Sequence, residues 1–220
     1  VRIGLYGGSF DPIHRGHLAP VRRAREVLGL DRVLYLPTAR PPHKPERDFA
    51  SRWARYAMVE LALLEEDGLY ASPFEIRRSE PSYTVDTLEH FRRRHPGAEL
   101  VYLLGADSFA QLDGWREWRR IVELAELGVL TRPGWQEAAS PAELPAELRR
   151  ALGEGRARRV ENEPVDASST EIRRRLAAGG AAERELAGLV PPRVLHYIAK
   201  YDLYRGGRVD FEDEGQPENH

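Results

Sequence analysis

The chain has 220 residues, enough for one sizeable core or two small domains, and its 41% hydrophobic and 31% charged content fits an ordinary globular protein. A formal net charge of −2 argues against a general nucleic-acid binder, and the lack of cysteine removes disulfides, thiolate nucleophiles and cysteine-based metal sites. No apolar run approaches the ~20 residues that span a bilayer, and no basic-then-apolar leader opens the sequence, so no membrane partner and a cytoplasmic location are expected.

The predicted elements alternate strand and helix. Val1–Tyr6 reads as a strand, and His17–Leu28 has helical apolar spacing closed by Gly29. Arg32–Pro37 is a second strand. Arg40–Asp48, with three prolines, is a loop. Ser51–Glu66 reads as an amphipathic helix with Ser51 at its N-cap. A strand over Tyr70–Ile76 and a helix over Thr84–His95 follow. Glu99–Leu104 is a buried strand ending at Gly105. Then come a helix over Glu117–Glu126 and a short strand over Leu127–Leu130. Gly134–Gly155 is a surface excursion with one short helix at Ala142–Leu152, and Arg156–Glu161 is a last strand. Two helices, Ser169–Ala178 and Pro192–Lys200, end the ordered part, the second opened by Pro191 and Pro192. From Gly206 the chain carries five acidic residues and no apolar run, which reads as a disordered tail.

Strands separated by helices imply an α/β fold: a Rossmann-like, doubly wound, mostly parallel sheet with helices on both faces and a small C-terminal helical part. Residues 1–205 are expected to form a single domain, with 165–205 its C-terminal helical part and 206–220 the tail. In such sheets ligands bind beyond the C-terminal strand ends, where strand order reverses. Four motifs fall at such ends.

The first is Gly7-Gly8-Ser9-Phe10 with His14 and His17, on a strand-to-helix turn. Paired glycines let backbone N–H groups approach a ligand, and a helix N-terminus favours an anion. Surface histidines on a tight turn are the plain alternative, and a metal set of Asp11, His14 and His17 is a second one. The next is Pro41-Pro42-His43-Lys44, whose lysine is one of two in the chain beside Lys200. It is either a solvated loop or a cation reaching phosphates. Gly105-Ala106-Asp107-Ser108 puts a carboxylate past a central strand, suited to ribose hydroxyls or a metal-bound phosphate, or to capping a helix. Arg132 follows the Leu127–Leu130 strand.

Three further features lie between these ends. Ser82-Tyr83-Thr84-Val85-Asp86-Thr87 opens a helix, where Ser82 and Thr84 either cap it or leave N–H groups for an anion. Trp115, in a loop, is core or stacks on a flat ligand ring. Ser168-Ser169-Thr170-Glu171-Ile172-Arg173 opens another helix as a second anion site or a capping motif.

Together these motifs resemble the nucleotidyltransferase superfamily, whose (H/T)-x-G-H and S-S-T-x-x-R patterns stand here as His14–His17 and Ser168–Arg173. Within it the chain resembles the bacterial nicotinate mononucleotide adenylyltransferases. The Gly-Gly-Ser-Phe-Asp-Pro, Pro-Pro-His-Lys, Ser-Tyr-Thr-Val-Asp-Thr and Gly-Ala-Asp-Ser motifs, the following Trp and Thr-Arg-Pro-Gly all occur in order between Val1 and about Arg205.

The resemblance implies an enzyme that transfers the adenylyl group of ATP to nicotinate mononucleotide, giving deamido-NAD and pyrophosphate, with Mg²⁺ held mainly by the ATP phosphates. It implies catalytic roles for His14, His17, Lys44 and Arg173. It implies ATP contacts from Gly8, Ser9, Phe10, His14, His17, Gly105, Asp107, Ser169, Thr170 and Arg173. Mononucleotide contacts would come from Ser9, Lys44, Ser82, Thr84, Trp115, Arg116 and Arg132. The implied partners are the two small-molecule substrates, without nucleic acid, and a homo-oligomer is compatible with the sequence. The rival readings are an adenylyltransferase for phosphopantetheine or nicotinamide mononucleotide, a non-catalytic nucleotide sensor on the same fold, and a metal-dependent hydrolase.

Overall fold

A computed structural model describes residues 1–39, 50–79, 81–131, 144–180 and 184–205. The strands are β1 (Arg2–Gly8), β2 (Arg32–Pro37), β3 (Leu69–Ala71), β4 (Glu99–Gly105), β5 (Glu126–Thr131) and β6 (Ala157–Glu161). The helices are α1 (Arg15–Leu28), α2 (Arg52–Leu63), α3 (Thr84–Arg94), α4 (Ala106–Ala110), α5 (Trp118–Leu124), α6 (Ala146–Gly153), α7 (Ser169–Ala178) and α8 (Pro192–Lys200).

The six strands pair in the order β3-β2-β1-β4-β5-β6, every pair parallel. Burial on both faces explains the near-continuous apolar runs of the central strands. In β4, Leu100, Tyr102 and Leu104 point to one face, with Ile3 and Leu5 of β1, and pack under α3, α4, α5 and α6. Val101 and Leu103 point to the other face, under α1, α2, α7 and α8. The two apolar layers, one on each side of the sheet, are the doubly wound arrangement expected from the alternating pattern. Strand order reverses between β1 and β4, so the crevice beyond Gly8 and Gly105 is the switch point.

Several boundaries differ from the sequence expectation for physical reasons. Helix α1 starts at Arg15 rather than His17, because His14 caps it. Strand β3 stops at Ala71, far short of Ile76: Ser72 accepts the N–H of Phe74 through Oγ, and Pro73 has no N–H for a ladder. Helix α5 ends at Leu124, and Glu126 already belongs to β5, where it pairs with Arg2 at 2.8 Å. A short helix at Ala106–Ala110 and a 3₁₀ turn at Leu112–Gly114 occupy the segment after β4, where no element was expected. The helix expected at Ala142–Leu152 is Ala146–Gly153. Ser51 does cap α2, accepting from Ala54 N at 3.2 Å. The Arg40–Asp48 loop, Arg132 and the tail from Gly206 lie outside the described residues.

Candidate active site

The site grows out of the turn between β1 and α1. Its two histidines are the cap of α1. His14 Nδ1 accepts the N–H of Gly16 at 3.1 Å, and His17 Nδ1 accepts the N–H of His14 at 3.3 Å. This is a reciprocal capping box built from imidazoles instead of serine and glutamate. A ring nitrogen that accepts carries no proton, so both Nδ1 contacts assign the proton to Nε2 in the neutral rings. The two rings lie side by side, centroids 3.8 Å apart. Two imidazoles with their protons on Nε2 thus sit together at one helix start, a place that favours an anion.

Glycines make the arrangement possible. A Cβ on Gly16 would stand 2.9 Å from His14 Cε1, inside the imidazole's contact distance. A Cβ on Gly8 would stand 2.8 Å from the ring of Phe10. Phe10 is itself buried, at φ 47°, a left-handed conformation uncommon outside glycine, and its ring packs edge-on against His17 at 5.2 Å. The turn is thus held tight against the sheet, and the His17 ring is buttressed from behind.

Below the turn lies a polar group that sequence reading did not assemble. Asp11 is fully buried. Its Oδ1 accepts from Tyr204 Oη at 2.6 Å and from Ala50 N at 3.2 Å. Arg173 Nη1 donates to the Asp11 carbonyl at 2.7 Å and lies 3.6 Å from Oδ2. Burial pushes the Asp11 carboxyl up, and the Tyr204 hydroxyl, Arg173 and Arg55 pull it back down. Arg55, also buried, donates to the carbonyls of Ser9, Thr38, Ala39 and Ala50 and so clamps the ends of β1 and β2. Nothing in the local pattern around Arg55 or Tyr204 marks them, because the contacts that tie them to the first loop, to Ser9 and Asp11, are distant in sequence. With Asp11 buried and committed to these donors, the metal set of Asp11, His14 and His17 is not assembled. Among the described residues no three His, Asp or Glu side chains gather as metal ligands.

The Ser168–Arg173 motif reaches the same turn. Ser169 Oγ donates to the Pro12 carbonyl at 3.2 Å, and Ser168 caps α7 without a side-chain hydrogen bond. Thr170 is exposed beside them. The motif therefore works through tertiary contacts with the first loop rather than as the capping alternative.

On the other side of the switch point Tyr102 of β4 joins two expected groups. Its hydroxyl lies 3.3 Å from Thr84 Oγ1, and a Cβ on Gly7 would come 3.1 Å from it. Its ring meets Trp115 edge-on at 6.2 Å. Arg116 places its guanidinium over the Tyr83 ring at 4.6 Å, and Ser82 Oγ is buried without a hydrogen bond among the described residues. Neither Ser82 nor Thr84 caps α3, whose N-cap is Tyr83. Behind them Thr87 donates to the buried Glu75 at 2.8 Å, and burial pushes the Glu75 carboxyl up to about 7. Gly105, at the end of β4, has open space where a Cβ would be, and Asp107 is exposed one step further on. Of the expected residues, Lys44 and Arg132 lie outside the described residues. Phe10, Ser169 and Arg173 gather at the His14–His17 turn, Thr84 and Trp115 gather around Tyr102, and Gly105 and Asp107 stand at the end of β4.

An all-parallel α/β sheet with a His-x-Gly-His helix cap and an arginine held against it at the switch point defines the nucleotidyltransferase class. The family model described as cytidylyltransferase-like matches residues 5–175. A Thermus thermophilus protein named "Probable nicotinate-nucleotide adenylyltransferase" is 44% identical over 207 residues, covering 93% of this chain and all of that one. A protein of the same name from Aeromonas hydrophila is 42% identical over 213 residues, covering 92% of this chain and 97% of that one. The chain belongs to the cytidylyltransferase-like family and, within it, to the nicotinate-nucleotide adenylyltransferases. The fold is shared with Plasmodium falciparum nicotinic acid mononucleotide adenylyltransferase complexed with NaAD, at 19% identity and a TM-score of 0.74, over 92% of this chain and 97% of that one.

Proposed function

We propose that the protein transfers the adenylyl group of ATP to nicotinate mononucleotide, forming deamido-NAD and pyrophosphate in NAD biosynthesis, and that the β1–β4 crevice is where it does so. The observation that carries the site assignment is the pair of Nδ1 contacts at His14 and His17, which fixes two adjacent imidazoles at one helix start with their protons on Nε2.

The chemistry asks little of a base. The acceptor's phosphate has a second pKa near ~6 and is already largely anionic at neutral pH. One of its oxygens attacks the α-phosphorus of ATP. A new P–O bond forms, the bond from the α-phosphorus to the bridging oxygen breaks, and pyrophosphate leaves with that electron pair. Such transfer rests on positioning and on donors aimed at developing charge. His14 and His17 stabilise the α-phosphate, helped by the backbone N–H groups of Ser9 and Phe10 above Gly8. Arg173, Ser169 and Thr170 hold the leaving β/γ end, and Lys44 holds phosphate where the substrates join. Gly105 and Asp107 face the adenosine ribose. Ser82, Thr84 and Arg116 receive the nicotinate carboxylate, Trp115 stacks on the pyridine ring, and Arg132 supports the mononucleotide.

The one carboxylate at the turn, Asp11, is buried against Tyr204, Ala50 and Arg173 and so is not an open oxygen ligand of the kind a magnesium cage needs. That fits Mg²⁺ carried by the triphosphate itself, with the exposed Asp107 carboxylate facing such a complex. When bound, the ion neutralises charge on the phosphates. No helix among the described residues is long and apolar enough to cross a membrane.

Pyrophosphate release tests the reading. ATP and Mg²⁺ are supplied with nicotinate mononucleotide, nicotinamide mononucleotide or phosphopantetheine. Release is expected with the first far above the others. Release only with phosphopantetheine, or with none of them, contradicts it.

A further inference from the structure

Tyr204 stands 193 residues after Asp11, yet its hydroxyl makes the shortest contact to the Asp11 carboxylate, 2.6 Å to Oδ1. The segment that carries it folds back after α8. Leu203 is buried, its N–H donating to the Ile198 carbonyl at 3.0 Å, and Tyr204 takes φ 69°, a left-handed conformation disfavoured for a bulky side chain. Such backbone persists where surrounding contacts hold it, and the observation runs from strain to function. Here the contact it delivers is a hydrogen bond to the carboxylate beneath the phosphate turn.

The geometry around Asp11 shows what that bond does. Two donors, Tyr204 Oη and Ala50 N, fall on Oδ1. Oδ2 makes no hydrogen bond among the described residues and is turned toward Arg173, 3.6 Å away. The same guanidinium nitrogen is anchored on the Asp11 main-chain carbonyl at 2.7 Å. A carboxylate with both donors on one oxygen cannot rotate without breaking them, so its other oxygen stays on the arginine. Removing the phenol hydroxyl leaves the buried group with a single N–H donor and frees it to turn. Burial also keeps the phenol protonated: its pKa is raised well above the usual value, so it stays a donor.

We infer that Tyr204 is a positioning residue for adenylyl transfer: its hydroxyl locks the Asp11 carboxylate, and the locked carboxylate sets Arg173 against the phosphate-binding turn. This rests on Arg173 binding ATP phosphates, as proposed above. The C-terminal end of the described chain is thereby part of the catalytic apparatus, although it touches neither substrate.

A double-mutant cycle tests it. Tyr204→Phe removes one oxygen and keeps the ring. In the otherwise unaltered protein it is expected to lower kcat/KM for ATP by about tenfold, with KM for the mononucleotide within about twofold. In an Arg173→Ala background the same change is expected to cost nothing further, because the path through Arg173 is already cut. Asp11→Asn, which puts an N–H donor opposite the guanidinium, is expected to follow the same dependence on Arg173 and serves as the second variant if Tyr204→Phe melts below the assay temperature. Equal losses in the two backgrounds overturn the inference and mark a general packing role. Unchanged kinetics in Tyr204→Phe also overturn it, while leaving the enzyme's activity standing. If the unaltered protein itself shows no turnover, it is the functional reading that fails. The affinity of a non-hydrolysable ATP analogue for the same variants then decides the cycle, and an affinity unmoved by Tyr204→Phe overturns it.

Discussion

His17 accepts the backbone N–H of His14 through Nδ1 at 3.3 Å, while His14 accepts that of Gly16 at 3.1 Å. Each imidazole thus satisfies a backbone N–H at the start of α1 and is fixed in the tautomer that carries its proton on Nε2; its second job, as proposed above, is to donate to the α-phosphate. The two jobs separate by magnitude. Losing a cap costs about 1 kcal/mol of stability. Losing a donor aimed at a transition-state oxygen costs about 10²–10³ in turnover. His17→Ala is therefore expected to lower kcat by that factor while a melting curve moves by a few degrees at most. Turnover within a few fold of the unaltered enzyme would remove His17 from the chemistry.

Gly16 tests the same geometry from the side. A methyl there meets His14 Cε1 at 2.9 Å and the Ala167 carbonyl at 3.4 Å. Alanine is otherwise the better helix former, by about 1 kcal/mol. Gly16→Ala should leave the fold intact and still reduce turnover by on the order of tenfold or more, because displacing the His14 ring misaligns its Nε2–H. Unchanged kinetics in a folded variant would mean that the ring's position does not matter.

Trp115 packs against Tyr102, which also meets Thr84. If these line the mononucleotide side of the crevice, Trp115→Ala raises KM for nicotinate mononucleotide by about tenfold, the scale of losing an aromatic contact of about 1.5 kcal/mol. KM for ATP should stay within twofold. Steady-state kinetics with each substrate varied separately checks this, and a change confined to ATP would move Trp115 to the other substrate.

Glu75 gives a stability prediction with a definite sign. Burial raises its carboxyl to about 7 in the folded protein, against an ordinary 4.5, and the Thr87 hydrogen bond and Arg78 offset only part of that. The folded state binds the proton more tightly than the unfolded chain. The resulting stability is complete below about pH 4.5 and is lost as pH rises through about 7. The loss is about 3 kcal/mol over that window. Glu75→Gln keeps an acceptor for Thr87 and removes the titration. Denaturant unfolding at pH 5 and pH 8 should find the variant close to the unaltered protein at the lower pH and more stable at the higher. Parallel pH profiles would show that Glu75 does not titrate there.

The contrast between these residues explains what could be read in advance. Helices α7 and α8 occupy the expected residues because their starts are marked locally, by serines and by Pro192 at the first turn. The sheet and both its apolar layers follow from the alternation of strands and helices. The start of α1 was misplaced because histidine is not an ordinary cap, so its capping role emerges only from coordinates. Strand β3 was overextended because apolar residues beyond Pro73 pack in a turn instead of a ladder. The motifs that meet at the β1–α1 turn were legible, since the glycines, the histidines and the Ser168–Arg173 run are each contiguous. Asp11, Arg55, Tyr102 and Tyr204 were not read this way: each matters through a partner 17 to 193 residues away, and one-dimensional spacing carries no trace of such pairs.

The most direct measurement follows the fate of the α-phosphorus. ATP labelled there is incubated with the protein, Mg²⁺ and nicotinate mononucleotide, and the products are separated. Adenylyl transfer at the β1–β4 crevice predicts that the label enters a dinucleotide in step with pyrophosphate release, and that His14→Ala suppresses both together. Label recovered in AMP or left in ATP, with no dinucleotide formed, would contradict it.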